Sequence, residues 1–463
     1  MQKLGIVITD GVGYRNFILS DFISASNQTF DEVVIFSCLP KHVYTTLPEN
    51  FTIIELEVFQ EKFPAWFFRK AKELTHLHLN AKDNFGIQDN LKANYSTAKT
   101  PRGLVTRLLH KWTAKVHSEK WIQRYNWLQQ KTFQSNPITQ QYLKLLKEYQ
   151  LSILFFTHQR PPYIAPLIYA AEQLKIKTAT FIFSWDNLAS KSRMAGNFDY
   201  YLVWSDLMMQ ELLQFYPSIK AAQIAVVGTP QFEPYVLDRY KISKDELIKT
   251  FNLDAQKPIL LFTCNDSSSE NDPIYLELVA HFIATDKLVK EVNLVVRTSP
   301  AEDPTRFKHI AGKFSFIHWN YPDWKLSRTH HQEAWSQRVP SFQDIVHLRG
   351  LLNHCDLCIN VLSTITLDAF LFDKPVINPI FGNQENQLFN DQKFLSYQHL
   401  VTLVDSNATL IVKNEQQLLD AINKQLQEKD TRKIERSNFL KLQIGKPLPG
   451  TSLRIAQTLK DWC

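Results

Sequence analysis

The sequence predicts an α/β protein of two domains, each on a parallel sheet, with a helical insertion in the first. Three observations carry this. Short apolar runs alternate with helix-compatible stretches near residues 4–57, 151–227 and 259–381, as βαβ units do. The alternation stops between about 60 and 150, where strand signals vanish. At AVVGTPQFEPY (225–235) a glycine and two prolines follow a short strand, marking a domain boundary. The domains are therefore set at 1–228 and 229–463.

Composition narrows the class. At 463 residues two domains are natural, and 44% hydrophobic content fills two cores. A formal charge of +6 favours anionic ligands or surfaces without calling for nucleic acid. No apolar run approaches the ~18 residues of a membrane-spanning helix. The N-terminal LGIVIT is strand-like and runs straight into DGVG, which is not a secretory signal. The five cysteines form no disulfide framework. Cys355 and Cys358 make one CxxC, but Cys358 falls in an apolar strand and further ligands at zinc spacing are lacking. A reducing, cytoplasmic setting without a metal site is expected.

In chain order, residues 4–9 form a strand and Asp10-Gly11-Val12-Gly13 turns the chain. A helix then carries Phe17, Leu19 and Phe22. The glycines lack the full GxGxxG spacing of a dinucleotide site. Strands follow at 32–37 and 51–57. Within the insertion, residues 101–131 carry Arg102, Arg107, Lys111, Lys115, Lys120, Arg124 and Lys131 against one acid, Glu119. Trp112, Trp121, Tyr125 and Trp127 are interleaved with them. Such helices lie on anionic membranes, or pack their aromatics inward and solvate their lysines; the sequence leaves both open.

Strands resume at Leu151. The first ends at His158, with Arg160 just beyond; the second, 178–183, ends in Ser184-Trp185-Asp186-Asn187, with Arg193 following. A third, 200–204, ends at Ser205. Three polar strand ends on one sheet edge point to a shared cleft. The second half restarts with a strand at 259–262 ending in Asn265–Ser269, a helix at 273–284, a strand ending in Arg297, a strand at 314–319 and a helix at 344–354. Terminal helices lie near 415–428 and 451–462, the last a candidate to pack back on the first domain.

The stretch DLCINVLSTITLDAFLFDKPVINPIF (356–381) reads as strand, turn, helix and strand. Leu357, Ile359 and Val361 suit a buried parallel strand. Ser363 and Thr364 stand where a helix is capped, and Lys374-Pro375 ends that helix. Hydroxyls and free N–H groups at such a turn suit a phosphate, and Asp368 one turn later suits a sugar hydroxyl. An ordinary capped helix with an acid fits the same residues.

Two α/β units across a cleft resemble the GT-B fold of nucleotide-sugar glycosyltransferases. The phrases SWDNLASK, VVGTPQF, VVRTSP and STITLDAFLFDKPVIN resemble those of bacterial surface-polysaccharide glycosyltransferases and of the related CDP-glycerol glycerophosphotransferases. The resemblance covers both halves but not residues 60–150. It implies a nucleotide-sugar donor in the C-terminal half, no cofactor, and a saccharide or lipid-linked acceptor in the N-terminal half. Arg297 then lies near the donor phosphates, Ser363 and Thr364 at a phosphate-binding helix start, and Asp368 near the ribose or sugar. Ser267 and Ser268 replace a glycine-rich loop. The paired glutamates of retaining members are missing, which implies inversion.

Glycosyl transfer needs positive charge and N–H donors for the leaving phosphate, a base for the acceptor hydroxyl, and exclusion of water. His158, Asp186 and Asp10 are the candidate bases; Gly13, Arg160 and Arg193 are candidate acceptor or cleft residues. The plain alternatives are His158 as a loop histidine bonding a backbone carbonyl, Asp186 as a helix cap, and Arg193 as a surface residue. Competing functions on the same residues are polyol-phosphate transfer, nucleotide-sugar epimerisation and non-catalytic nucleotide binding. The setting expected is the cytoplasm, with peripheral contact at the inner face of the membrane.

Overall fold

The computed structural model describes residues 1–48, 51–266, 269–382 and 389–463. The first half builds a seven-stranded parallel sheet: β1 Lys3–Ile8, β2 Glu32–Ser37, β3 Thr52–Glu55, β4 Ile153–Phe156, β5 Lys177–Phe181, β6 Tyr200–Val203 and β7 Ile224–Val226. Its order is β3-β2-β1-β4-β5-β6-β7. The second half builds a six-stranded parallel sheet from β8 Ile259–Thr263, β9 Asn293–Arg297, β10 His318–Asn320, β13 Leu357–Ile359, β14 Val376–Pro379 and β15 Leu410–Val412, in the order β10-β9-β8-β13-β14-β15. Between them in sequence, β11 Trp324–Leu326 and β12 Arg338–Pro340 form an antiparallel pair.

The central strands of both sheets are covered on two faces and are apolar for that reason: ILFF in β4 and ILLFT in β8 are buried at every position, whereas the edge strand β3 is partly exposed. Each sheet also reverses its strand order once, at β1/β4 and at β8/β13. Ligands of open α/β sheets bind beyond the carboxyl ends of strands at such a reversal. The residues there are Asp10 after β1, His158 after β4, Cys264 after β8, and Asn360–Thr364 after β13.

The insertion is a cluster of helices, α3 Phe63–Asn80, α4 Phe85–Ala93, α5 Pro101–Lys115, α6 Glu119–Lys131 and α7 Pro137–Tyr149, with α1 Gly11–Phe17 and α2 Phe22–Thr29 preceding it. Asn84, Thr100, Ser118 and Asn136 each cap the following helix through a side-chain oxygen. Helix α3 is the insertion's axis and packs on α4, α5 and α6. Its Lys72 is buried and donates to Asn126 Oδ1 at 2.9 Å and to Ala195 O at 2.8 Å. Burial pushes that ammonium down to about 7. The last helix, Thr451–Asp461, packs on α2 in the first half. Trp462 beyond it stacks on Tyr200 at 4.5 Å.

Three local readings change. The glycine turn is not a loop: α1 starts at Gly11, because Asp10 caps it by accepting from Gly13 N at 2.8 Å. The helix then breaks, and Phe22 begins α2. The strand expected at 314–319 is shorter and later, since Phe314 and Ile317 are buried in the turn after a short helix. The β11–β12 pair carries no periodicity long enough to read.

Gly11 is explained by contact across the halves. A Cβ there would sit 1.6 Å from Arg338 O of β12. Gly11→Ala is therefore expected to push α1 off β12 and cost about 1–3 kcal/mol. Thermal unfolding measures it; a melting point equal to the parent's would remove the argument.

Candidate active site

Asp10 and His158 form a buried pair. His158 Nδ1 lies 2.9 Å from Asp10 Oδ2. Asp10 is fully buried and also accepts from Gly13 N at 2.8 Å and Thr9 Oγ1 at 2.8 Å. Burial pushes its carboxyl upward, but the His158 contact and the other donors outweigh that and hold it below the usual range. The imidazole stacks on Phe183 with centroids 3.8 Å apart and 14° between planes. Burial lowers its pKa, against the pull of Asp10. With Nδ1 on the carboxylate, the ring is fixed and Nε2 is the free nitrogen. That Nε2 is buried without a hydrogen-bond partner.

His158 borders a cavity of about 330 Å³. Arg69, Lys70 and Glu73 of the insertion line it, with Arg160, Arg193 and the second half's Glu333. Burial first, and Asp10 next, push the Glu333 carboxyl up. Arg193 lines this cavity but is already engaged: it is buried, bonds Glu119 at 2.6 and 3.0 Å, and stacks on Tyr216 at 4.2 Å. It ties the insertion to the first sheet. Arg160 Nε is buried and without a partner.

A second cavity of about 240 Å³ lies between the halves. Val12 and Arg15 of α1 border it from one side, and Arg297, Asp344, Ser363, Thr364 and Asp368 from the other. One short helix thus serves both cavities: its cap holds His158, and Arg15, just over a turn later, faces the interdomain space. Arg297 ends β9, donating to Asp344 Oδ2 at 2.8 Å and Asn320 Oδ1 at 2.5 Å. Asp344 also accepts from Trp324 Nε1 at 2.8 Å. Burial would raise it, yet the Arg297 charge and these donors hold it below the usual range. Arg297 is therefore a half of a neutral pair. The less committed cation is Arg15, which donates to Tyr235 Oη at 3.3 Å.

The loop after β13 departs from the expected phosphate cradle. Helix Ile365–Leu371 has seven residues, and Thr364 makes no capping bond with its side chain. Thr364 Oγ1 accepts from Trp185 Nε1 at 3.1 Å, across the cleft. Ser363 N donates to Asn360 Oδ1 at 3.2 Å. Asn360, which sequence reasoning passed over, also accepts from Thr366 Oγ1 and Asn378 Nδ2. Leu362 takes φ +29°, a conformation L-residues rarely adopt, where strain collects near functional loops. Ser267 and Ser268 lie outside the described residues.

Asp368 donates nothing and accepts a short hydrogen bond from Tyr235 Oη. Burial pushes it up to about 6, against Arg15 and that bond. A carboxyl raised this way burdens the fold as pH climbs from about 3.9 through 6. Asp368→Asn keeps an acceptor for Tyr235 and removes that burden. It is expected to raise the melting temperature at pH 8 by a few degrees and leave it unchanged near pH 4. A gain equal at both pH values would contradict the charge account.

Asp186 is placed apart from His158, lining a third cavity of about 380 Å³ with Lys191, Glu270, Asp391 and His399. Lys191 Nζ lies 3.3 Å from it. Burial would raise its pKa, but Lys191 and His399 force it far below the usual range. A carboxylate held so firmly is a poor base. It occupies the cap position of the helix Asn187–Ser190 without a capping bond. Ser205 caps the helix Asp206–Phe215.

No family model matches the chain, and no curated protein matches it in sequence. Solved structures match throughout its length. The UDP-GlcNAc 2-epimerase of Methanocaldococcus jannaschii is 12% identical with a TM-score of 0.53, covering 99% of this chain and 100% of that one. The UDP-GlcNAc 2-epimerase of Neisseria meningitidis, solved bound to UDP-GlcNAc, is 11% identical with a TM-score of 0.53, covering 100% of both chains. A glycosyltransferase from Rickettsia africae is 12% identical with a TM-score of 0.53, covering 99% of this chain and 98% of that one. The chain has the GT-B fold. At these identities the likeness concerns the fold alone, with its two Rossmann-like domains facing across a cleft.

Arg15, Asp344, Tyr235, Glu333 and Asn360 were not singled out as site residues from sequence. Arg15 had a signal, a cation directly after the glycine turn. Tyr235 and Glu333 gain their place from contacts between the halves, and Asp344 and Asn360 from contacts with distant strands and turns of the second half.

Proposed function

We propose that the protein is a glycosyltransferase that binds a nucleotide sugar between its halves and passes the sugar to a saccharide or lipid-linked acceptor with inversion. The observation that carries this is the Asp10–His158 pair with its unpartnered Nε2. Nε2 takes the proton of an acceptor hydroxyl seated in the cavity lined by Arg160 and Glu333. The hydroxyl oxygen attacks the anomeric carbon, and the bond from that carbon to the phosphate oxygen breaks. The nucleotide leaves with the bonding electrons toward Arg15, the less committed cation of the interdomain cavity. Single displacement inverts the anomeric centre. Asp10 stabilises the imidazolium that forms, as buried carboxylates do beside catalytic histidines.

Epimerisation of a nucleotide sugar is a second reading. Glu333, with its raised carboxyl, lines the same cavity as His158. Two proton-transfer groups on one cavity suit removal and return of a proton on opposite faces. Two of the similar folds named above are UDP-GlcNAc 2-epimerases.

A thermal-shift panel of UDP-, GDP-, CDP- and dTDP-sugars identifies the donor, because a binder raises the melting point by mass action. The stabilising donor is then incubated in deuterium oxide with and without candidate acceptors. Nucleotide release that requires an acceptor supports transfer. Deuterium entering the sugar without acceptor supports epimerisation. Stabilisation by none of the panel would sink both.

A further inference from the structure

We propose that the outward faces of α5 and α6 are a docking surface for an anionic lipid bilayer. The inference does not rest on the nucleotide-sugar reading. Residues 61–150 hold sixteen lysines and arginines against six aspartates and glutamates, a surplus of ten. The whole chain carries only +6, so the remainder is net negative by four. The positive charge of this protein is thus concentrated in its insertion.

The structure separates the two arrangements that the sequence left open. On α5, Leu104, Leu108, Lys111, Trp112 and Lys115 fall within an arc of about 100° at helical spacing. All of them are exposed: Leu104 is 53% exposed, Leu108 56% and Trp112 50%. The opposite face buries Thr106, Leu109 and Thr113. On α6, Lys120, Arg124, Trp127 and Lys131 form an exposed stripe at the same spacing, with Trp127 54% exposed. Ile122 and Tyr125 take the buried side. The aromatics are therefore divided: Tyr125 packs inward while Trp112 and Trp127 remain outside. Trp112 joins the two helices by donating to Tyr125 Oη at 2.8 Å.

Charge decides the occupant. Glu119 is the single acid of residues 101–131, and it is held by Arg193. The exposed face is left with cations and large apolar side chains. That pairing matches anionic headgroups above and acyl boundary below, with tryptophan at the interface. A second copy of the same face would oppose like charges. No helix among the described residues is long and apolar enough to cross a membrane, so contact is at the surface.

Co-sedimentation of the full chain with vesicles tests this. The protein is expected to pellet with phosphatidylcholine–phosphatidylglycerol vesicles, to stay in solution with phosphatidylcholine alone, and to be released at about 0.5 M salt. Lys111→Gln with Lys115→Gln should weaken binding about tenfold or more. Leu104→Ser with Leu108→Ser should weaken it comparably. These side chains are exposed, so both variants should melt with the parent, and Lys244→Gln with Lys249→Gln should bind as the parent does. Equal recovery in the supernatant with and without anionic vesicles overturns the proposal. So does binding that survives both α5 variants, or concentration-dependent dimerisation that Leu104→Ser with Leu108→Ser abolishes.

Discussion

His158→Ala is expected to lower turnover about 100-fold or more while donor affinity shifts by less than about threefold. The imidazole's hydrogen bond is to Asp10 and its ring stack is on Phe183, both in the first half. Its loss removes proton transfer and leaves Arg15, Arg297 and the turn after β13 in place. Titration separates a base from a structural histidine. Burial keeps His158 neutral to lower pH than an ordinary histidine. The acidic limb of kcat/KM should therefore lie below about 6.5. The Asp10 carboxylate pulls the other way, favouring the imidazolium. Asp10→Asn should move that limb to still lower pH and reduce turnover as well. Turnover within a few-fold of the parent for His158→Ala would remove the histidine from the chemistry, and an acidic limb unmoved by Asp10→Asn would break the pairing.

Arg297→Ala is expected to destabilise the second half by about 3–5 kcal/mol. From sequence alone, the fold would survive this change intact, because a strand-end arginine near a cleft looks free for an anion. The structure places it 5% exposed, in contact with Asp344 and Asn320. Removing it strands a carboxylate that is itself 3% exposed. Arg297→Ala with Asp344→Asn should recover much of the loss, since no uncompensated charge then remains. Chemical denaturation of both variants measures this. Equal stability of Arg297→Ala and the parent would show that the pair carries little. The cation to remove for a test of nucleotide binding is instead Arg15, whose bond to Tyr235 is long.

Local pattern placed most of the parallel strands. β2 and β8 begin, and β9 ends, at the positions read from their apolar runs, because strands buried on both faces leave an unbroken apolar signal. The helical insertion was equally legible as the one long interval without such runs. His158 and Asp10 were both visible as polar residues ending strands, each as a separate candidate. What joined them was strand order: β1 and β4 are neighbours although 144 residues separate Ile8 from Ile153 in the chain, counting those between. No periodicity encodes that adjacency.

The sequence by itself determined the α/β class, the helical insertion, and the concentration of basic and aromatic residues in 101–131. Each follows from composition or spacing within a short window. Only the tertiary structure decided which polar groups are spent and which are free. Arg193 is taken by Glu119 and Ser363 N by Asn360, while His158 Nε2 remains without a partner. It also decided that Leu104, Leu108 and Trp112 face outward. The reason is physical: a charged or apolar side chain has its meaning set by what desolvates it, and here that partner comes from a distant part of the chain.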